Sequence, residues 1–293
     1  MAIVDTVKEL GFDVVNVAHN HMLDSGNSKF LENAYRAFSD KNIEVIGYYP
    51  NKASTENITV IEIKDIKIAF LSYTYGTNGQ RLPSSSEFVI PLFSKELLEK
   101  QVRLAKQAAD VVVVSCHWGD ENTYKPNKEQ EEYTKLMSDL EVDVVLGMHP
   151  HVIQPMEWKT NEKGFKTLVV YSLGNFVSGM KSGANMLGGM LSLKIIKDAE
   201  TEQVYIDAPT FIPTVTHYTR ESALGSHRNY KIYYLTEYTD ELAASHGALY
   251  YERQNRKTTL VGGNFSKRNL LNTVLTYIPK EFLPKEYELL EIE

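Results

Sequence analysis

Through the first two-thirds of the chain, apolar and polar positions follow the rhythm of strands alternating with helices. Residues 3–10 predict a helix with Ile3, Val4, Val7 and Leu10 on one face, stopped by Gly11. An apolar strand at 13–18 follows, then a polar turn at 19–27, a helix at 29–40 and a strand at 43–47. Segments 58–63 and 67–73 are rich in β-branched residues and predict a hairpin around Asp65. The polar stretch 75–86, with its Gly, Pro and Ser, is long enough to predict a binding loop or a lid. A helix at 94–108 leads to the strongest strand, 110–115, and a helix at 128–140 leads to a strand at 143–147. The valine run 111–114 suits a strand buried on both faces. Beyond Val152 the pattern turns to strands, at 152–158, 167–172, 189–196 and 204–213. A polar loop is predicted at 222–229, residues 233–251 mix aromatic and helical signals, and residues 254–293 give no clear element. With no repeat and no dividing linker, the expected organisation is an α/β domain at 1–215 and an extension at 216–293 that completes or packs on it.

Composition narrows this picture. The 293 residues suffice for a sizeable core, and 43% apolar with 24% charged residues is ordinary for a globular protein. A net charge of −7 argues against a nucleic-acid partner, because phosphate affinity comes from clustered Lys and Arg. The single cysteine, Cys116, excludes an internal disulfide and a thiolate-rich zinc site. No stretch approaches the roughly 20 apolar residues that span a bilayer, and no secretory leader is visible. Because the chain opens in mid-helix without a capping residue, an upstream segment is expected to precede Met1.

The histidines are not scattered. Five of the eight fall just after three predicted strands: His19 and His21, His117, and His149 with His151; Gly174-Asn175 follows a fourth. In α/β sheets the loops after the carboxyl ends of strands share one edge, where ligands bind. A lone histidine there is more often a hydrogen-bonded turn residue than a ligand. His149-Pro150-His151 reverses that balance, since an extended His-X-His points both rings the same way and the proline restrains the backbone. Asn20 and Asp24 are equally good turn formers, and Asp24-Ser25-Gly26 also reads as a turn that starts the next helix. Imidazole with amide or carboxylate oxygen suits Zn, Mn or Fe better than Ca. Two metals set roughly 3.5–4 Å apart would polarise a phosphoryl oxygen, but such a site needs bridging carboxylates. The loops offer only Asp24, Asp120 and Glu121, which is thin for two dications. Gly188-Gly189 and Gly262-Gly263 are too weak to mark a phosphate loop.

Four stretches carry a resemblance: GFDVVNVAHNHMLDSG (11–26), SCHWGDE (115–121), LGMHPHVIQPME (146–157) and VYSLGNFV (170–177). In this order they resemble the bacterial capsule-synthesis CapA family, also called the poly-γ-glutamate biosynthesis (PGA_cap) family, of the calcineurin-like metallophosphoesterase superfamily. The resemblance implies an α/β fold with a two-sheet sandwich flanked by helices, here truncated at its N-terminus. It implies Asn20, His117, His149 and His151 as ligands to a divalent metal (Mn, Zn or Fe) and His21 and Glu121 as catalytic groups. Tyr171, Asn175 and Phe176 would line the pocket, joined by His19, Asp24 and Trp118 from the same motifs; Gln154 would be structural. Two departures stand out. His19 replaces a small polar residue, and the family's early Gly-Asp strand and later Asn-Leu-Glu are absent, so one metal is expected to bind weakly or not at all. The implied function is a metal-dependent hydrolase or transferase acting on an anionic cell-envelope polymer, poly-γ-glutamate or a capsular glycan, or its precursor. The alternative is a non-catalytic accessory protein that binds the polymer or a membrane synthesis and export complex. Family members are typically membrane-anchored and face outward, so an extracytoplasmic location is expected, the anchor lying in the missing N-terminus.

Overall fold

The computed structural model describes residues 2–25, 29–220, 226–255 and 259–287; residues 26 and 27 of the expected turn and 222–225 of the expected loop lie outside them. The class is α/β, as the sequence rhythm predicts, with three sheets among the described residues. The chain divides into two compact units interleaved in sequence. One comprises Met1–Trp118, Lys135–Val145 and Thr160–Thr167; the other comprises Gly119–Thr134, Leu146–Lys159 and Leu168–Glu293.

The first unit holds α1 (Ala2–Glu9), β1 (Val14–Asn16), α2 (Lys29–Ser39), β2 (Glu44–Ile46), β3 (Thr59–Ile63), β4 (Ile66–Thr74), α3 (Lys95–Ala108) and β5 (Val111–His117). α4 (Lys128–Asp139) and β6 (Val144–Met148) are segments along which the chain passes between units. β1 and β2 pair in parallel. The expected hairpin is present: β3 and β4 pair antiparallel and reverse at Lys64 (φ 50°) and Asp65 (φ 63°). Two successive left-handed residues are what a tight hairpin turn requires. The sheet continues in the order β3-β4-β5-β6. β4 pairs in parallel with β5 from Ile68↔Val111 to Thr74↔His117, so that strand runs two residues past its expected end and His117 is its last residue. β5 is buried along its whole length, which is why its valine run has no polar alternation.

α3 forms where the sequence supplies both a cap and a stripe. Ser94 accepts the Leu97 N–H at 3.1 Å, and Leu98, Val102 and Ala105 are buried at helical spacing. Gln101, fully buried on the same helix, is satisfied by Tyr73, Tyr49 and the Thr55 carbonyl.

The second unit carries the end of β6 with β7 (Ile153–Thr160) and β8 (Lys166–Leu173), in the order β6-β8-β7. A separate antiparallel sheet is built from β9 (Leu187–Lys197), β10 (Val204–Thr219) and β11 (Arg228–Tyr234). β10 outruns its predicted end because residues 214–219 pair with β11. Three helices follow: α5 (Asp240–Ser245), α6 (Leu249–Asn255) and α7 (Lys267–Tyr277). Among the described residues past 255, unplaced by pattern alone, are α7 and two short turns. Ser266 caps α7 through the Asn269 N–H, and Leu270, Val274 and Tyr287 are buried in the core.

Candidate metal centre

Each unit gathers part of the expected site. In the first unit, Asn16 closes β1. Its Oδ1 accepts from Ala18 N (2.8 Å) and Ser72 Oγ (2.6 Å), and its Nδ2 donates to Ser115 Oγ (2.9 Å). That side chain ties the start of the His19–Asp24 turn to the ends of β4 and β5. Asn20 is buried at 3% exposure; its Oδ1 lies 2.9 Å from His117 Nε2 and its Nδ2 donates to Asn78 Oδ1 at 3.1 Å. His21, exposed, places Nδ1 2.7 Å from Asp24 Oδ2, with Asn78 Nδ2 at 3.4 Å. The His19 ring sits 6.0 Å from that of His117 and 6.4 Å from that of His21, and its Nδ1 accepts the His21 N–H. Burial, with His21 beside it, holds the His19 imidazole below its usual pKa against the opposing pull of Asp24. Tyr75 stacks on His117.

The loop that opens with Tyr75, singled out by its length, therefore supplies two groups to this cluster. Asn78 had no signal beyond an Asn-Gly turn. Trp118, expected at the pocket, is 1% exposed and stacks on Phe93 in the core. It follows directly on β5, which is buried along its whole length, and continues that buried run.

In the second unit, Glu121, His149 and His151 bring one ligand atom each within 4.8 Å of one another. Among the described residues they are the one group of three or more His, Cys, Asp or Glu so placed. His149 is buried, His151 half-buried and Glu121 exposed. The loop is not the extended His-X-His that the pattern suggests: His149 (φ 103°) and His151 (φ 59°) both occupy left-handed backbone. Pro150 O accepts the Asn122 N–H at 2.7 Å, fastening this loop to the residue after Glu121. Asp120 instead accepts from Asn127 Nδ2, and Gln154, fully buried, donates to Thr123 O and Lys125 O and accepts from Gln130. Gln154 thus holds the loop that carries Glu121, the structural part expected of it.

Asn175 places Oδ1 2.9 Å from His151 Nδ1 and donates through Nδ2 to Asn185 O at 3.0 Å. An amide oxygen only accepts, so Nδ1 of His151 carries the proton and Nε2 keeps the lone pair. Gly188 makes this packing feasible, since a Cβ there would lie 2.1 Å from Asn175 O. The glycine pair too weak to mark a phosphate loop instead makes room for its neighbours, Gly188 for the Asn175 backbone and Gly189 for the Phe211 ring. Tyr171 is 5% exposed and donates to Glu157; burial, then that carboxylate, push its phenol well above the usual pKa. Phe176 stands 39% exposed. Asn122 and Asn185, both bonded to this loop, were not legible as site residues.

Two imidazoles and a carboxylate form a donor set that suits Zn, Mn or Fe, so these residues fit a divalent metal.

Residues 1–180 match the family model described as bacterial capsule synthesis protein PGA_cap. The capsule biosynthesis protein CapA of Bacillus anthracis is 34% identical over 178 residues, covering 59% of this chain and 42% of that protein. The PGA biosynthesis protein CapA of Bacillus subtilis (strain 168) is 32% identical over 185 residues, covering 59% of this chain and 44% of that protein. The chain spans less than half the length of these two curated relatives. Among solved structures, the NAD nucleotidase NadN of Haemophilus influenzae aligns with a TM-score of 0.48 at 13% identity, over 92% of this chain and 51% of that one.

Proposed function

The chain belongs to the bacterial capsule synthesis protein PGA_cap family, and from that premise we propose that it is a metal-dependent hydrolase or transferase acting on an anionic cell-envelope polymer, poly-γ-glutamate or a capsular glycan, or its precursor. The observation that carries this reading is the Glu121–His149–His151 group. When bound, a divalent ion (Zn, Mn or Fe) supplies Lewis-acid polarisation of a phosphoryl or carbonyl oxygen and offsets the charge of an anionic substrate.

The remaining roles fall to the chain's own groups. Asn175 fixes the His151 ring so that Nε2 is the nitrogen offered to the ion. In the first unit His21, oriented by Asp24, is built to hold or move a proton at Nε2. Asn20 and His117 are the expected ligands there, and their Oδ1 and Nε2 atoms face each other. The family's capsule role and the anionic product named for the Bacillus subtilis relative favour a location outside the cytoplasm; no described helix is long and apolar enough to cross a membrane.

The test is cleavage or transfer of purified poly-γ-glutamate, with p-nitrophenyl phosphate as a second probe, by metal-free and by Zn- or Mn-loaded protein. Activity should appear on loading and vanish in His149→Ala and His151→Ala. Activity that persists without metal would falsify the reading. Polymer binding without turnover, unchanged in both variants, would instead identify an accessory protein.

A further inference from the structure

We propose that Asn185 is a positioning residue for His151, contributed from beyond residue 180, where the family match ends. The inference rests on reading Glu121, His149 and His151 as metal ligands.

Asn185 lies in the short turn Gly183–Met186 and is 1% exposed. Both hydrogens of its Nδ2 are used: one goes to Asn122 Oδ1 at 2.8 Å, the other to His151 O at 3.1 Å. Its backbone carbonyl accepts from Asn175 Nδ2 at 3.0 Å, and Asn175 Oδ1 accepts from His151 Nδ1–H at 2.9 Å. These contacts close a ring of hydrogen bonds: His151 O to Asn185 side chain, Asn185 carbonyl to Asn175 side chain, and Asn175 back to the His151 imidazole. The ring grips His151 at backbone and side chain together, and so determines both where the residue sits and which ring nitrogen keeps its lone pair. The second Asn185 bond reaches Asn122, the neighbour of Glu121, so one amide spans two of the ligand-bearing loops.

The backbone gives an independent reason for such a clamp. His151 sits at φ 59°, and left-handed backbone costs a residue other than glycine or asparagine about 1 kcal/mol. A conformation of that kind persists only where its surroundings impose it. The Asn185 amide bonds this residue and also Asn122, whereas a packing residue would need to bond neither. It orients groups without touching the ion or the substrate, which makes it a positioning residue and not a catalytic one.

Two readouts test this. In metal-free protein, the His151 Nδ1–H proton should appear in imidazole NMR spectra of the wild type and exchange away in Asn185→Ala. In the same purified chain, Zn²⁺ affinity measured by chelator competition should fall about 10–100-fold, and Co²⁺ visible bands should broaden. Leu270→Ala, a core change in the same unit, supplies a control with loss of stability and unaltered metal binding. If Asn185→Ala does not fold, the isosteric Asn185→Asp, which lacks the donor, carries the same expectations. A retained Nδ1–H signal, or a Zn²⁺ loss no greater than that of Leu270→Ala, overturns the proposal. Should the wild type bind no metal while Asn185→Ala still releases the Nδ1–H, the clamp stands and the metal reading fails.

Discussion

Asn20 Oδ1 and His117 Nε2 face each other at 2.9 Å inside the first unit, both residues almost fully buried. Because the amide oxygen only accepts, the His117 nitrogen must donate, and Asn20 is the partner that satisfies it. Removing Asn20 therefore leaves a buried N–H without this acceptor and frees Asn78 from its bond to Asn20 Nδ2. Asn20→Ala should lower stability by about 1–3 kcal/mol, read as a fall in Tm by calorimetry. A Tm equal to wild type would mean that water replaces the amide at no cost.

Gln154 makes a second prediction. It is fully buried and bonds Thr123 O, Lys125 O and Gln130, all in the segment that follows Glu121. Gln154→Leu keeps the approximate volume but leaves those carbonyls without a donor, at a cost of about 1–3 kcal/mol. Looser placement of Glu121 should also weaken Zn²⁺ binding, although Gln154 is no ligand. Chelator competition alongside urea unfolding separates the two effects; a stable variant with wild-type affinity would assign Gln154 no part in holding the loop.

Much of this architecture is legible from residue pattern, and the exceptions have physical reasons. The buried valine strand, the Asp65 hairpin and the Ser94-capped helix all follow from local rules of burial, turn chemistry and capping. That the histidines follow strand ends was also readable: His19 and His21 come after β1, His117 ends β5, and His149 and His151 come after β6. Asn78, Asn122 and Asn185 were not, because a bonding amide has no spacing or period and its role appears only when distant segments meet. The His149–His151 conformation escaped for a related reason. An alternating pair reads as extended, yet both residues are left-handed, in a loop held by bonds from Pro150 to Asn122 and from His151 to Asn175 and Asn185. The helix α7 lacked a clear pattern because Asn269, Asn272 and Thr273 are buried beside Leu270 and Val274, so its inner face is half polar.

Gly188 allows a third test. A Cβ at this position would lie 2.1 Å from Asn175 O and 2.8 Å from its carbonyl carbon, both backbone atoms that cannot swing aside. Gly188→Ala must push the loop at residue 175 away from β9, and Asn175 would leave His151 as it goes. The expected result is a loss of about 1–3 kcal/mol from overpacking together with weakened metal binding. Gly263→Ala is the comparison, since a Cβ there meets no atom within 4 Å but sits at φ 98°. That variant should show backbone strain with metal affinity unchanged.

His246 yields a prediction about acid. Fully buried, it donates from Nε2 to Thr216 O at 2.9 Å and accepts the Ala248 N–H on Nδ1 at 2.9 Å, so it is locked as the neutral ring. Burial is the main cause that lowers its pKa to about 4; the Thr216 carbonyl opposes this, and His217 and His227 add to it. The unfolded chain binds the proton near pH 6.5 and the folded one only near 4, so between those values the unfolded state carries more protons. The stabilising contribution is therefore complete above pH 6.5 and is lost as pH falls through 4. A difference of that size corresponds to about 3 kcal/mol. His217 and His227 are lowered in the same direction, chiefly by burial, and add to the slope. Urea unfolding of wild type from pH 7.5 to 4 should show stability falling steeply with acid, and His246→Gln, which has no ring to protonate, should fall less. Equal slopes in the two proteins would place the acid sensitivity elsewhere.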